Sequence, residues 1–290
     1  MTCNLCPRQC NARRTPEAGE GFCGMGSEIR VARAALHHWE EPCISGTRGS
    51  GTIFFSGCTL QCVYCQNHEI SSGRFGRDIS PRRLSEIFRE LEAQGAHNIN
   101  LVTGTMFVQG ILQALDEYTP RVPVVWNSSG YERLETLKML DGRVQIYLPD
   151  LKYVSPALSG LLSGAKDYFE QAALALQEMC RQSGACVYDA EGILQRGTVV
   201  RHLILPGCTT DSMRVLDFIH DTLPPDTPVS LMRQYSPVPS CTVRGMNRRI
   251  TDREYKRVLD YYKTLGLSGF MQEKSSAKEE YTPPFDLTGI

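Results

Sequence analysis

Short β-rich runs alternate with helical patterns along this chain after residue 50, and this alternation limits the possible folds more than any other feature. Six runs carry the apolar and β-branched residues of buried strands, namely Thr52–Ser56, Asn98–Val102, Val122–Trp126, Val144–Leu148, Val199–Leu205 and Val229–Met232. Alternating strands and helices are typical of parallel βα units, in which the helices cover the sheet. The pattern therefore predicts an α/β fold with a partial (β/α)6 barrel of the TIM type.

Three segments carry the signals of helices. Ser80 and Pro81 stand as N-cap and first residue before apolar residues that repeat every three to four positions. A second helix is predicted from Thr251, which is placed to form a capping box with Glu254, and a third over residues 169–179. These helices are long enough to cover the strands of the predicted barrel.

Three cysteines follow the first predicted strand with the spacing C-x3-C-x2-C, at Cys58, Cys62 and Cys65. In a parallel barrel the loops at the carboxyl ends of the strands meet at one mouth, so these thiols are expected there. A four-iron cluster bound by three thiolates keeps one iron open for a small molecule, as an open zinc site does. The spacing predicts such a cluster. The alternatives are a zinc knuckle or three unrelated thiols.

Four more cysteines precede the barrel with the spacing C-x2-C-x3-C-x12-C, and they are Cys3, Cys6, Cys10 and Cys23. Four thiolates make a closed site, which suits tetrahedral Zn²⁺ or a second [4Fe–4S] cluster. A cluster would relay electrons, whereas zinc would only fold the N-terminus. The sequence favours the cluster over zinc, and free thiols are the least favoured alternative. The chain is thus divided into a four-cysteine extension, 1–49, and a barrel with a C-terminal helix and tail, 50–290.

With an aromatic residue before its last cysteine, the C-x3-C-x2-C run resembles the signature of the radical S-adenosylmethionine (SAM) superfamily. Polar residues or glycine also end the later strands, and residues 50–240 are similar to the glycyl-radical-enzyme activases, typified by pyruvate formate-lyase activating enzyme. The N-terminal cysteines and the stretch 279–286 look like the uncharacterised activase-like iron–sulfur proteins. The resemblance implies a [4Fe–4S] cluster that binds SAM and, when reduced, cleaves it to a 5′-deoxyadenosyl radical.

The resemblance also implies which residues bind SAM. The implied contacts are Tyr64 at the adenine, Gly104 and Thr105 at the methionine amino group, the pair Asp150 and Lys152 beside the carboxylate, Arg201 facing the cofactor, and Tyr235 where activases have a histidine. Gly104 and Thr105 replace a Gly-Gly-Glu turn, so the glutamate of that turn is missing. For Asp150 and Lys152 the alternative is a surface ion pair.

A monovalent cation lies beside the SAM carboxylate in the activases, bound by residues after the third and fourth strands. The corresponding residues here are Asn127, Ser128 and Asp150. Hard cations bind oxygen, which Asn and Ser still supply, but one negative charge is lost relative to the activases. The resemblance therefore predicts a weaker dependence on sodium or potassium.

The composition indicates which partners to expect. A formal net charge of −1 gives no electrostatic reason for nucleic acid or a membrane surface, and no run of about 18 apolar residues occurs. Twelve cysteines without a signal-peptide pattern favour metal or redox chemistry in the cytoplasm. The low-potential iron–sulfur chemistry predicted above suggests an anaerobic setting. The resemblance adds a glycyl radical enzyme as protein substrate and a low-potential electron donor such as flavodoxin or ferredoxin.

The predicted function is an activase-like radical SAM oxidoreductase, whose 5′-deoxyadenosyl radical takes a hydrogen atom from a backbone glycine of a partner. Hydrogen abstraction by a carbon radical needs no general base, so no side chain is predicted to be catalytic. Two alternatives stay open: a radical SAM reaction on a small molecule or peptide, and a metal-binding scaffold that never cleaves SAM. The five other cysteines and the charged run Lys274–Glu280 are predicted to have no role in the site.

Overall fold

The computed structural model describes residues 2–272 and 283–290. The strands are β1 (Thr2–Cys3), β2 (Ala12–Arg13), β3 (Ile29–His37), β4 (Ser50–Phe55), β5 (Arg77–Ile79), β6 (Ile99–Val102), β7 (Val124–Ser128), β8 (Ile146–Pro149), β9 (Val187–Tyr188), β10 (Leu194–Thr198), β11 (Val200–Leu203), β12 (Val229–Met232) and β13 (Gly269–Met271). The α-helices are α1 (Pro42–Ser45), α2 (His68–Ser71), α3 (Pro81–Ala93), α4 (Val108–Glu117), α5 (Leu134–Met139), α6 (Pro156–Ser163), α7 (Tyr168–Ser183), α8 (Thr209–Thr222) and α9 (Asp252–Thr264). The charged run 274–280 lies outside the described residues, as do residues 279–282 of the stretch 279–286.

One curved sheet forms most of the barrel wall, in the order β5-β3-β4-β6-β7-β8-β10-β9, and β11, β12 and β13 form a second, parallel sheet. A parallel bridge between Asp150 and Arg201 joins the end of β8 to β11, with a hydrogen bond of 2.8 Å from the Leu151 N–H to the Arg201 carbonyl. The wall therefore continues from one sheet into the other. The predicted α/β partial barrel is confirmed, and all six predicted strands are present.

The structure adds strands that the sequence did not predict. β3 and β5 extend the sheet at one edge, and β3 pairs antiparallel with β4 from Val31 opposite Phe55 to His37 opposite Ser50. At the other edge β13 pairs parallel with β12. Because β3 lies within residues 1–49, the barrel sheet runs across the boundary predicted at residue 49.

The helices begin where their capping residues predict. The Ser80 hydroxyl accepts a hydrogen bond of 3.1 Å from the Arg83 N–H at the start of α3, and Thr251 and Glu254 form a reciprocal capping box at the start of α9. α3 buries its apolar stripe against the outer face of the barrel sheet. Among the described residues, no helix combines the length and apolarity needed to cross a membrane.

The short helix α1 packs inside the barrel. Its residues Cys43 and Ile44 are buried against inward-facing side chains of β7 and β8. The Asn98 side chain, directly before β6, donates a hydrogen bond of 2.7 Å to the Ile44 carbonyl. α1 thus closes the lumen at the amino ends of the strands, and the segment between β3 and α1 faces the space above it.

Candidate functional site

The cysteines of the C-x3-C-x2-C run lie on the loop after β4, at the carboxyl ends of the strands. Cys58, Cys62 and Cys65 line a cavity of about 190 Å³. Its polar wall comes from the ends of β6, β7 and β8 and from β11, and it includes Thr103, Asn127, Ser128, Ser129, Asp150, Lys152 and Arg201. The structure therefore brings five of the predicted cofactor residues onto one cavity with the three thiols.

The surroundings of these thiols fit metal-bound thiolates. The Cys58 Sγ accepts backbone N–H hydrogen bonds from Leu60 at 3.3 Å and Gln61 at 3.5 Å, and the Ser163 hydroxyl donates to the Cys62 Sγ at 3.0 Å. Burial, with the neighbouring cysteines, raises the pKa of Cys58 to about 12, so the free group is a thiol and a weak nucleophile. Metal binding would deprotonate it, and the N–H donors would then stabilise the negative sulfur.

Two further features suit a bound molecule beside the thiols. Ser129 lines the cavity, and its buried hydroxyl has no hydrogen-bond partner among residues 2–272 and 283–290. Gln61 adopts the left-handed backbone conformation with φ of 50°, which is uncommon for a residue other than glycine and is concentrated at functional sites. The residues present therefore fit a cluster with a polar ligand bound next to it.

A chain of charged groups crosses the cavity wall. Asp150 lies between two cations, with Oδ2 at 2.5 Å from Lys152 Nζ and Oδ1 at 2.9 Å from Arg201 Nε. The Asn127 Oδ1 accepts a hydrogen bond of 2.6 Å from the Arg201 Nη2. Burial would raise the pKa of Asp150, but Arg201 and Lys152 together hold it below its usual value. Asp150 is therefore an ionised carboxylate at neutral pH.

Sequence reasoning missed Glu40 as a member of this chain of charges. Its Oε2 lies 3.1 Å from Arg201 Nη1, and its Oε1 accepts hydrogen bonds from the side-chain amides of Asn100 at 3.3 Å and Asn127 at 3.2 Å. Burial raises the pKa of Glu40, and Arg201 opposes this. The acidic pair Glu40-Glu41 is the sequence signal that could have indicated this residue. The pair lies in a stretch that was assigned to the extension because it precedes the first predicted strand.

The predicted adenine contact Tyr64 lies in the packed core. Its ring centroid is 6.0 Å from that of Tyr235, and its hydroxyl is 2.5 Å from that of Tyr153. Tyr235 is 1% exposed and donates a hydrogen bond of 2.6 Å to the Met246 carbonyl. Both tyrosines thus support the loop that carries the thiols, and their contacts with SAM stay predictions.

In the turn after β6, the residue that lines the cavity is neither of the two that were predicted, Gly104 and Thr105. Thr103 lines it, whereas a Cβ on Gly104 would lie 2.5 Å from the Ile111 Cδ1, on the side packed against α4. The Thr105 hydroxyl is fully buried and donates a hydrogen bond of 2.6 Å to Glu132 Oε1. The roles of Gly104 and Thr105 in holding the methionine amino group therefore stay predictions.

Glu132 gives a prediction for pH dependence. Burial raises its pKa to about 7, against the hydrogen bond from Thr105. A folded-state pKa above the ordinary value means that Glu132 stabilises the fold below about pH 4.5 and that this contribution is lost as the pH rises through about 7. We expect Glu132→Gln to gain about 3 kcal/mol over the parent protein at pH 8 and little at pH 5.

Thermal unfolding at the two pH values tests this expectation, with Glu170→Gln on the exposed face of α7 as the matched control. An equal effect of Glu132→Gln at both pH values would contradict it.

The N-terminal cysteines gather in one neighbourhood around the β1–β2 hairpin. Burial raises the pKa of Cys6 to about 12, and the charges of Cys23 and Cys3 add to the shift. Burial also raises the pKa of Cys23, with Cys3 and Cys10 adding to it. Within the described ranges, no three His, Cys, Asp or Glu side chains converge tightly enough to hold a single metal ion.

This four-cysteine box packs directly on the loop of the C-x3-C-x2-C run. Arg8, between Cys6 and Cys10, donates hydrogen bonds of 2.9 Å to the carbonyls of Thr59 and Ser163. The Gln61 side-chain amide donates a hydrogen bond of 2.9 Å to the Phe22 carbonyl. The box therefore holds the loop in its strained conformation.

The chain is similar to known proteins over most of its length. The family model described as "Radical SAM superfamily" matches residues 52–219. The "Uncharacterized protein MJ0674" of Methanocaldococcus jannaschii is 30% identical over 271 residues, which cover 89% of this chain and 73% of that protein.

Two solved structures are similar in fold. A radical SAM methyltransferase from Sphaerobacter thermophilus has a TM-score of 0.54 and 13% identity, over 77% of this chain and 66% of that one. Streptococcus suis SuiB bound to precursor peptide SuiA has a TM-score of 0.53 and 14% identity, over 77% of this chain and 48% of that one. The chain thus spans about half the length of SuiB, and at these identities the similarity shows the fold alone.

Proposed function

The chain belongs to the radical SAM superfamily, and from this premise we propose that it is an activase-like enzyme that binds a [4Fe–4S] cluster through Cys58, Cys62 and Cys65 and cleaves SAM reductively. The observation that supports this most is the cavity at the carboxyl ends of the strands, where the three thiols face the Asp150, Lys152 and Arg201 side chains. When bound, the cluster and SAM supply a 5′-deoxyadenosyl radical for hydrogen-atom abstraction.

The residues of the chain bind and orient SAM in this proposal. Lys152 is placed to attract the methionine carboxylate, and Asp150 holds the ammonium of Lys152 at the cavity wall. The Ser129 hydroxyl, which has no partner among the described residues, is placed to hydrogen bond with a polar group of SAM. Burial of the wall excludes water from a site where a primary carbon radical would react with it.

Monovalent cations are expected to stimulate this enzyme weakly. The oxygens assigned to a cation are already engaged, because Asp150 accepts from Lys152 and Arg201, and the Asn127 Oδ1 accepts from Arg201. We therefore expect SAM cleavage to change less than about twofold when sodium or potassium replaces choline as the only monovalent cation. A glycyl-radical-enzyme activase assayed in parallel is the reference, and equal stimulation of both enzymes would contradict the prediction.

The N-terminal box is proposed to hold a second [4Fe–4S] cluster that relays electrons from a low-potential donor such as flavodoxin or ferredoxin. The contacts of Arg8 and Gln61 support this, because they place the four-cysteine box directly against the loop that carries the first cluster. In this proposal the protein works in the anaerobic cytoplasm. A zinc ion in the box is the alternative, in which case the extension only stabilises the fold.

The proposed substrate is a backbone glycine of a partner glycyl radical enzyme, following the activase resemblance. A specific observation favours a second candidate, a small molecule or peptide side chain. A cavity of about 460 Å³ lies beside the thiol cavity and shares Arg201 with it. A cavity of this size encloses a small ligand or a single side chain.

Anaerobic reconstitution with iron and sulfide tests the proposed function. We expect about eight iron atoms and no zinc per chain, and 5′-deoxyadenosine by mass spectrometry after addition of dithionite and SAM. Four iron atoms with one zinc would assign zinc to the box. A fully loaded protein that leaves SAM intact under several reductants would support the scaffold alternative and overturn the proposed chemistry.

A further inference from the structure

The larger cavity lies in the barrel lumen, above α1. Its wall combines the segment after β3 with β11, β12 and β13, and it includes Trp39, Glu40, Glu41, Arg201, Ser230 and Phe270. Arg201 also lines the thiol cavity. The two cavities therefore meet at the side chain of Arg201.

Glu41 is the acidic residue of this cavity that has no cation of its own in the described part of the chain, because Arg201, whose charge acts on it, is already hydrogen-bonded to Asp150 and Glu40. Its side chain belongs to a residue that is only 8% exposed, and Oε2 is buried with no hydrogen-bond partner in the described part of the chain. Although Glu41 is the N-cap residue of α1, its side chain does not cap that helix. The carboxyl instead faces Ser230 on the same cavity wall, whose hydrogen bond lowers its pKa against the effect of burial, and Oε2 stays without a partner among the described residues.

The charges around Glu41 do not balance without a ligand. Arg201 directs its three nitrogens to Asp150, Glu40 and Asn127. With Lys152 paired to Asp150, two cations offset two carboxylates, and Glu41 adds a further carboxylate. Burial raises the pKa of Glu41, although the charge of Arg201 opposes this. A buried carboxylate is costly unless it is paired, so a cation in the lumen would complete this arrangement.

We propose that the lumen cavity binds the positively charged nitrogen of the substrate, an ammonium or guanidinium group, on the carboxylate of Glu41. Trp39 and Phe270 line the cavity with aromatic rings. These rings would contact the apolar part of the ligand and also interact with its positive charge. Identifying the ligand as the substrate rests on the second candidate under the proposed function, a small molecule or peptide side chain, whereas the binding itself does not.

Other occupants fit this cavity less well. An anion would face Glu40 and Glu41 together, and a backbone glycine carries no charge to pair with Glu41. A hard metal ion requires several oxygen ligands, but both oxygens of Glu40 already accept hydrogen bonds from Arg201, Asn100 and Asn127. An organic cation with N–H donors needs one carboxylate and an apolar wall, which the lumen provides.

Isothermal titration of the reconstituted protein with butylammonium, butylguanidinium and neutral butyramide tests the proposal. We expect at least one of the two cations to bind at least tenfold more tightly than butyramide. Glu41→Gln should remove this preference, because it keeps the shape and loses the charge, and Glu41→Asp should restore part of it. Glu191→Gln, exposed and outside the cavity, is the matched control.

Equal affinities for charged and neutral probes, or a preference that survives Glu41→Gln, would overturn the proposal. Titration with capped tripeptides that carry a central lysine or arginine distinguishes a protein side chain from a free amine as the ligand. Tighter binding of either kind of probe supports the same recognition of a positive charge. The SAM cleavage assay is scored separately. Cleavage without cation preference refutes this inference alone, whereas cation preference without cleavage refutes only the proposed function.

Discussion

Replacing Cys62 by alanine is expected to abolish 5′-deoxyadenosine formation and to lower the iron content from about eight to about four atoms per chain. Cys58, Cys62 and Cys65 line one cavity, so in the proposed site each would supply a ligand that no other thiol of the run replaces. The N-terminal cysteines form a separate set around the β1–β2 hairpin, with their own mutual electrostatic contacts. The metal of the four-cysteine box should therefore remain after Cys62→Ala.

Metal analysis and the SAM cleavage assay on the same reconstituted sample measure both consequences. Cys208→Ala is the matched control, since Cys208 is also half-buried but lies at the start of α8, away from either set. Loss of both metals in Cys62→Ala would show that the two sites are not separable. Undiminished 5′-deoxyadenosine would remove Cys62 from the ligand set.

Asp150→Ala is expected to destabilise the fold and to weaken SAM binding while the iron content is preserved. The carboxylate lies between Lys152 and Arg201, and its side chain is only 16% exposed. Removing it leaves Lys152 without its counterion beside Arg201, with both cations nearly buried, which costs about 3 kcal/mol and lowers the unfolding temperature by roughly 5 °C. SAM binding weakens because Lys152 loses the group that holds it at the cavity wall.

Asp150→Asn separates the two effects, because it keeps the shape and removes the charge. Titration of the reconstituted protein with SAM should show at least tenfold weaker binding in this variant. Asp116→Ala is the matched control: Asp116 forms an exposed ion pair with Arg143 at 2.6 Å, and such pairs contribute about 1 kcal/mol or less. An unchanged SAM affinity in Asp150→Asn would refute the assigned role of Asp150.

The position of the thiol cavity was predictable because it follows from local patterns and one topological rule. Each of the six predicted strands is short, the later ones end in polar residues or glycine, and parallel strands end at a common edge. The loop after β4 was therefore expected to lie close to Asn127 and Asp150, although these residues are far from it in the sequence. The spacing of the three cysteines needed no further information.

The surroundings of Arg201 were not predictable to the same extent. Its place on β11 follows from the strand pattern, but its bond with Glu40 joins residues 161 positions apart. β3 precedes the barrel in the sequence and pairs antiparallel with β4, so the βα alternation gives no sign that Glu40 and Glu41 enter the lumen. No local periodicity reports such a contact, because strand pairing depends on the whole sheet.

The amino-acid sequence by itself determined the positions of the six barrel strands, the spacing of both cysteine sets and the helix starts at Ser80 and Thr251, since these depend on near neighbours along the chain. Only the tertiary structure decided that the N-terminal box packs on the thiol loop and that Glu41 Oε2 is buried without a hydrogen-bond partner among the described residues. The physical reason is that burial and charge balance are properties of a packed environment, to which distant segments contribute atoms that no local pattern specifies.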